Sequence, residues 1–255
     1  MKSVIKKELE NLEKQEGFTI LFACESGSRA WGFPSPDSDY DVRFIYIQPQ
    51  NQYLSIEDKK EHLEIPITDN LDINGWDIRK SLNLLWRSNA TIFEWLQSPI
   101  IYCSRHNFRD ELFQLAKEYF SLRDTMNHYL GLTKKSLPSN PGANEIKLKQ
   151  YFYILRPLLA AMWIAKYREI PPMEFHDLLQ LIETPGLLEH IDGLLKKKAQ
   201  AREKDKISPI PELQEFIETQ FERCKKIVQQ FTSFKKGPEP LDSFFRNMLQ
   251  RAAAG

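Results

Sequence analysis

A short segment near the N-terminus, in which a Gly-Ser pair and two spaced acids lie between apolar runs, constrains this chain most. The first apolar run, Phe18 to Cys24, leads into Gly27-Ser28, and Asp39-Tyr40-Asp41 opens the second run. This order predicts a strand, a tight turn, a crossing loop and a second strand. Alternate side chains of a strand point to the same face, so the two acids are expected to face the same way, roughly 6.5–7 Å apart.

The two acids have the chemistry of a metal site. Carboxylate oxygens are hard ligands that suit Mg²⁺ or Mn²⁺, with water and substrate phosphates completing the coordination shell. A bound cation also offsets the repulsion between two like charges held close together. We therefore predict that Asp39 and Asp41 bind divalent metal. The alternative interpretation is that they are ordinary acids at the solvated entry of a strand.

The Gly-Ser pair has the chemistry of a phosphate-binding turn. Glycine lets the backbone approach a ligand closely, and consecutive amides with a serine hydroxyl can hold phosphate oxygens. Gly27 and Ser28 are therefore predicted to bind phosphate, and Arg29 is placed to contact a terminal phosphate. A plain turn with a solvated arginine is the competing interpretation. Trp31 and Phe33 are expected to pack the crossing loop.

Hydrophobic patterning predicts an α+β protein with two domains. From about residue 106 onward the pattern is helical, with breaks at prolines. We therefore predict a small mixed β-sheet domain over residues 1–105 and an all-helical domain over residues 106–255. The predicted extended segments lie near residues 18–24, 40–47, 61–67, 71–77 and 100–102.

Composition excludes several other classes of protein. Apolar residues make up 42% of the chain and charged residues 27%, as in ordinary soluble domains. The sequence has no run of about 18 apolar residues, and its N-terminus lacks a secretory hydrophobic core, so we expect a cytoplasmic protein without a membrane segment. Cys24, Cys103 and Cys224 are too widely spaced to indicate a disulfide framework or a zinc site.

Charge is balanced overall but uneven along the chain. Residues 1–105 carry 12 Lys and Arg against 16 Asp and Glu, whereas residues 106–255 carry 23 against 19. An acidic first part suits a site that has to be loaded with metal. Basic clusters in the second part, such as Lys196-Lys197-Lys198, would contact an RNA backbone or form a solvated helix face.

The segment from Phe18 to Tyr46 resembles a known signature. An apolar strand, Gly-Ser, about ten residues and then Asp-x-Asp are typical of the DNA polymerase β-like nucleotidyltransferase superfamily. The fuller sequence Gly-Ser-Arg-Ala-Trp-Gly-Phe-Pro-Ser-Pro-Asp-Ser-Asp-Tyr-Asp resembles one branch, the RNA repair pathway DNA polymerase β family. Residues 75–99 and 149–158 resemble the same family, so the resemblance runs from about residue 17 to beyond residue 165.

The resemblance implies a palm-like sheet with three strand acids, the third on a strand beside the Asp-x-Asp strand. Residues 61–67 and 71–77 are predicted to form a hairpin with its turn at 68–70. Asp77 matches the family's Gly-Trp-Asp and is the predicted third catalytic and metal-binding acid. Asp72 is the alternative third acid, and a helix N-cap is the alternative role for Asp77. Because their sequence interval is odd, a regular strand would place these two acids on opposite faces.

The helical part offers further candidates for nucleotide binding. Lys149, Tyr153 and Arg156 fall on one helix face at i, i+4 and i+7. In related enzymes the helical domain closes the nucleotide cleft, so the resemblance implies that these three residues contact the triphosphate or the base. The alternative is that the aromatic fills the core while the cations point to water. Pro157 is expected to kink the helix.

The resemblance implies a metal-dependent nucleotidyltransferase. Two Mg²⁺ or Mn²⁺ ions, held by Asp39, Asp41 and Asp77, would assist attack of an acceptor hydroxyl on the α-phosphorus of a nucleoside triphosphate such as ATP, and pyrophosphate would leave. An RNA end is the expected acceptor, and a small molecule or a protein hydroxyl is the alternative. A catalytically silent module that binds a nucleotide or a partner is a further alternative.

Overall fold

A computed structural model describes residues 1–57, 59–66, 70–138, 144–200, 205–233 and 236–254. The chain forms two compact units. The first, called the sheet unit here, comprises Met1–Gly27, Asp39–Phe120 and the segment that carries the last helix. The second, called the helical unit, comprises Ser28–Ser38 and the long segment that begins at Ser121.

The sheet unit is built on a five-stranded mixed sheet with the strand order β3-β4-β2-β1-β5. Strands β2 and β4 are parallel, and the other neighbouring pairs are antiparallel. The predicted hairpin is confirmed as the antiparallel β3–β4 pair, although two of its predicted turn residues, 68 and 69, lie outside the described part of the chain. The strands are β1 (Thr19–Glu25), β2 (Tyr40–Ile47), β3 (His62–Glu64), β4 (Leu71–Asp77) and β5 (Ile101–Ser104).

Helices dominate the rest of the described chain, and a short antiparallel ladder joins two further strands of the helical unit. None of the helices in the described ranges is both long and apolar enough to cross a membrane. The helices are α1 (Lys2–Glu16), α2 (Gly27–Ala30), α3 (Gln50–Tyr53), α4 (Ile78–Trp86), α5 (Ala90–Gln97), α6 (Phe108–Glu118), α7 (Leu122–Ser136), α8 (Leu148–Tyr167), α9 (Phe175–Leu178), a 3-10 turn (Leu179–Leu181), α10 (Pro185–Lys198), α11 (Pro211–Val228) and α12 (Glu239–Ala254); the strands are β6 (Ile146–Lys147) and β7 (Lys206–Ile207).

Side-chain alternation along β2 determines what each face of the sheet carries. Val42, Phe44 and Tyr46 are buried in one core cluster together with apolar residues of α1. Because alternate residues point to opposite faces, Asp41 and Arg43 lie on the other face. The sheet therefore separates an apolar face, which stabilises the unit, from a face that carries charge.

Gly75 allows β4 to pack closely beside β2. It pairs with Phe44 across the parallel ladder, and a Cβ at position 75 would overlap the Phe44 ring. Glycine at this position therefore brings the aromatic core of β2 against the backbone of β4.

The two compact units differ from the predicted division after residue 105. Helices α6 and α12 belong to the sheet unit, where Phe108 packs on Phe244 with their ring centres 5.6 Å apart. Arg251 of α12 also donates from Nη1 to Glu111 Oε1 at 2.8 Å. The loop before β2 belongs to the helical unit instead, because the Phe33 ring stacks on Phe152 at 4.9 Å. These long-range contacts move the boundary to residues 120 and 121.

Candidate active site

The backbone turn at Gly27 brings the chain directly against Asp41. Gly27 has a φ of +60°, a conformation that L-residues with a side chain rarely adopt. A Cβ at this position would overlap the Asp41 carboxylate. Glycine is therefore required here for two reasons, the left-handed backbone and the close approach to a candidate metal-binding acid.

A buried acid, Glu25, fixes the backbone of Asp41. Glu25 is the last residue of β1 and is fully buried. Its Oε1 accepts a hydrogen bond from the Asp41 amide at 2.8 Å, and its Oε2 accepts one from the Tyr102 hydroxyl. Burial and this hydrogen bond both raise the pKa of Tyr102 above its ordinary value, which keeps the phenol protonated as a donor. Glu25 is not among the residues predicted from the sequence, where its one signal is an acid at the end of an apolar run.

The parallel ladder places Asp72 beside Asp41. The two residues are register partners on β2 and β4. Arg43 lies on the same face and bridges them, since its Nη2 is 2.9 Å from Asp41 Oδ1 and 2.7 Å from Asp72 Oδ2. Its Nη1 also donates to the Asp72 carbonyl at 3.0 Å. Two carboxylates from neighbouring strands therefore share one positively charged nitrogen.

Asp77 does not lie beside these acids, which corrects the preference for Asp77 over Asp72 as the third acid. Its register partner is Tyr46, so it lies five residues beyond Asp72, about 16 Å along the strand and on the opposite face. Its Oδ1 accepts from the Arg79 amide at 2.7 Å and caps α4, and its Oδ2 accepts from the Tyr53 hydroxyl at 2.7 Å. The N-cap alternative is therefore confirmed.

Burial also perturbs the ionisation of Asp77. Only 3% of the residue is exposed. Burial raises the pKa of Asp77 to about 6, although the hydrogen bonds from Tyr53 and Arg79 act in the opposite direction. The Asp77 carboxyl, whose pKa is raised, therefore caps α4 and accepts a hydrogen bond from the Tyr53 hydroxyl.

The chemistry of the Asp41–Asp72 pair fits a cation. Among the described residues, no three His, Cys, Asp or Glu side chains form a ready-made metal cage. Mg²⁺ sites commonly use only one or two carboxylates, with water and substrate phosphates as the other ligands. The shared guanidinium nitrogen already occupies a cationic position between the two carboxylates. Asp39 is the exposed residue immediately before β2, two positions from Asp41.

Ser28 and Arg29 lie in the helical unit, immediately after the glycine turn. The Ser28 hydroxyl donates to Ser38 Oγ at 3.1 Å. Arg29 Nη2 donates to the carbonyl of Ser38 at 2.7 Å. The two residues therefore fasten the start of the crossing loop to its end. Trp31 and Phe33 pack this loop as predicted.

The three candidates on α8 have different environments. Lys149 is half-buried, and Tyr153 is 41% exposed with its ring edge against Trp31. Arg156 is buried; its Nε and Nη2 donate to the Met173 carbonyl at 3.2 and 3.0 Å, and its guanidinium lies 4.6 Å from the centre of the Trp31 ring. The predicted nucleotide contact of Arg156 is therefore replaced by a packing role. Helix α8 continues through Pro157.

Comparison with known proteins identifies the family. The RlaP profile, described as the RNA repair pathway DNA polymerase beta family, matches residues 1–247. The chain belongs to this family. The RlaP family is nucleotidyltransferase-like, and its description links it to RNA repair.

One relative is similar over almost the whole chain. The uncharacterized protein YcgL of Bacillus subtilis (strain 168) is 41% identical over 237 residues, which are 92% of this chain and 91% of that protein. The crystal structure of a nucleotidyltransferase-like protein from Exiguobacterium sibiricum 255-15 aligns with 89% of this chain and 75% of its own, at 10% identity and a TM-score of 0.31. The family assignment rests on the RlaP match over residues 1–247.

Replacement of Gly27 by alanine is expected to destabilise the protein more than the same change at Gly32. Both glycines have positive φ, at +60° and +90°, but a Cβ at Gly32 meets nothing within 4 Å. Gly32→Ala should cost about 1–2 kcal/mol from backbone strain alone, and Gly27→Ala should cost clearly more because Asp41 must move. Urea unfolding of the two variants measures the difference. Equal losses would contradict the close packing of Gly27 on Asp41.

The raised pKa of Asp77 predicts a pH-dependent contribution to stability. The folded protein holds this proton up to about pH 6, whereas the unfolded chain releases it near the ordinary value of 3.8. Stability relative to Asp77→Asn should therefore be greatest below about pH 4 and should fall as the pH rises to about 6, by at most about 3 kcal/mol. Urea unfolding of both proteins across this range provides the measurement. A difference that is constant with pH would contradict the assignment.

Proposed function

We propose that this RlaP-family protein transfers a nucleoside monophosphate from a nucleoside triphosphate to a hydroxyl acceptor and releases pyrophosphate. The proposal rests on the in-register Asp41–Asp72 pair with its shared cationic partner, Arg43. Asp39, two residues before Asp41, is the third candidate ligand of a divalent cation. The acids are therefore Asp39, Asp41 and Asp72, with Asp72 in place of Asp77.

The acids and their neighbours divide the chemistry between them. Bound Mg²⁺ or Mn²⁺ would supply activation of the acceptor hydroxyl and neutralisation of phosphate charge. The carboxylates of Asp41 and Asp72 would bind the cation. Glu25 holds the Asp41 backbone in place by accepting a hydrogen bond from its amide. A carboxylate of this group that faces the acceptor can also take the proton from the attacking hydroxyl.

The turn after β1 supplies the phosphate contacts in this proposal. Gly27 lets the turn pass directly against the Asp41 carboxylate, and the Ser28 hydroxyl provides one rotatable donor. Arg29 follows directly and adds a positive charge. These groups are suited to the β- and γ-phosphates, the part of the substrate that leaves as pyrophosphate. Lys149 and Tyr153 are the candidates on α8 for further contacts with the nucleotide.

An RNA end is the proposed acceptor. Support comes from the family description, which names an RNA repair pathway, and from the excess of basic residues beyond residue 105. An RNA terminus presents a hydroxyl that can attack the α-phosphorus in line. Small-molecule and protein hydroxyls are alternative acceptors that the labelling experiment below separates.

Substitution of Asp41 or Asp72 by asparagine should reduce label transfer by at least about 100-fold. The assay incubates the protein with nucleoside triphosphates radiolabelled at the α-phosphate, Mg²⁺ or Mn²⁺, and separated RNA, protein and small-molecule fractions of a lysate. Asp77→Asn is the matched control, because it removes a buried carboxylate of the same sheet and should retain transfer. Label in the RNA fraction supports the proposed acceptor, and label only in another fraction replaces it. A loss with Asp77→Asn but not with Asp72→Asn would contradict the site.

Replacement of Arg43 by methionine should strengthen divalent-ion binding in the absence of nucleotide. The two carboxylates then lose the cation that offsets their repulsion. A bound metal ion therefore gains the favourable electrostatic energy that the guanidinium contributes in the wild type. We expect Mn²⁺ affinity, measured by electron paramagnetic resonance, to rise about tenfold. Arg105→Met is the control, because Arg105 pairs with Glu13 in the same unit. Weaker Mn²⁺ binding to the Arg43 variant would show that Arg43 does not compete with metal.

A further inference from the structure

A buried lysine lies at the end of α10. Lys198 is only 3% exposed, whereas the adjacent Lys196 and Lys197 are exposed. Moving an ammonium group out of water is costly, so a lysine at such a position is expected to have a structural or functional purpose. The basic cluster that the sequence presented as one surface therefore contains a residue of a different kind.

A chain of serine hydroxyls connects Lys198 to the candidate phosphate turn. Lys198 Nζ donates to Ser35 Oγ at 3.4 Å. Ser35 Oγ is 2.8 Å from Ser38 Oγ, and Ser38 Oγ is 3.1 Å from Ser28 Oγ. All three serines are buried. An ammonium group is thus linked in three hydrogen-bonded steps to a hydroxyl that we assign to phosphate binding.

The direction of these hydrogen bonds can reverse. In the structure Ser28 donates to Ser38 Oγ, which also accepts from the Ser35 amide at 2.9 Å. Both acceptor positions of Ser38 are then filled, so its own proton points to Ser35. Hydroxyl groups rotate freely, so the opposite order is equally well formed: Lys198 to Ser35, Ser35 to Ser38 and Ser38 to Ser28. In that order Ser28 accepts from Ser38, so the Ser28 hydroxyl can donate its hydrogen bond to an incoming anion.

Aromatic packing holds the loop in place for this relay. Phe33 stacks on Phe152 and lies edge-on to Phe175, and the Phe175 amide donates to the Trp31 carbonyl at 2.9 Å. Lys198 Nζ is also 6.0 Å from the centre of the Phe33 ring. The ammonium group and the loop are therefore anchored to the same core of the helical unit.

We propose that Lys198 is a positioning residue for the triphosphate, acting through Ser35 and Ser38 on the hydroxyl of Ser28. When the phosphate tail binds, the relay points outward from the ammonium group, and every bond in it strengthens the next. This assignment rests on the proposed function of the Gly27-Ser28 turn. It adds a residue that lies 170 positions beyond the turn in sequence.

The test compares ligand affinity in single and double variants. Lys198→Met keeps the length of the side chain and removes its charge, and Ser38→Ala breaks the relay in the middle. Calorimetry with inorganic tripolyphosphate, and with each nucleoside triphosphate, should give a dissociation constant about tenfold higher for either variant. The turnover number, measured by label transfer at saturating nucleoside triphosphate, should change little. The double variant should be no weaker than the single variants, because both changes interrupt one relay. Lys197→Met, next to Lys198 but exposed, should match the wild type. Circular dichroism confirms that each variant is folded.

The outcomes separate this inference from the proposed function. If wild-type protein transfers label but Lys198→Met binds tripolyphosphate as tightly as wild type does, the role of Lys198 is overturned and the proposed function stands. Losses that add in the double variant would overturn the relay. If wild-type protein neither transfers label nor binds any triphosphate, the proposed function fails and the role of Lys198 fails with it.

Discussion

The parallel pairing of β2 with β4 determines which acids of this protein can act together. It aligns Asp41 with Asp72 and leaves Asp77 at the far end of the strand. Two further contacts complete the candidate site. Arg43 reaches both carboxylates because it is two residues from Asp41 on the same face. Gly27 is needed because the turn after β1 ends against one of these two carboxylates. A shift of one residue in this ladder would turn Asp72 to the opposite face and break its contact with Arg43.

The crossing loop begins where the chain passes from one compact unit to the other. The sheet unit contains Asp41 and Asp72, and the helical unit contains Ser28 with its hydrogen bond to Ser38. The peptide bond between Gly27 and Ser28 connects them directly. Two polar residues that the sequence presents as candidate ligands have structural contacts. The Arg156 guanidinium packs on the Trp31 ring, and Asp77 caps α4. Lys198 differs from these residues in the opposite way. The sequence places it in a basic cluster typical of a surface, but its side chain is buried.

The sequence was sufficient for local features and insufficient for pairing. Alternation and turn residues placed β1, β2 and β4 to within a residue or so, because these signals are local. The choice between Asp72 and Asp77 depended on the register of two strands far apart in the chain, which no local pattern specifies. The division at residue 105 failed for a related reason, since α12 returns to the sheet unit through long-range contacts. Burial of Lys198 depends on tertiary packing of α10, so charge alone suggested a solvated face.

The location of a bound metal ion tests the central claim most directly. Crystals of the protein grown with Mn²⁺ and a non-hydrolysable nucleoside triphosphate would show the metal by its anomalous scattering. We predict a Mn²⁺ ion within about 2.5 Å of carboxylate oxygens of both Asp41 and Asp72, with the Arg43 guanidinium displaced from between them. A Mn²⁺ ion coordinated by Asp77 instead, or an Arg43 bridge that persists with nucleotide and Mn²⁺ bound elsewhere, would contradict the account.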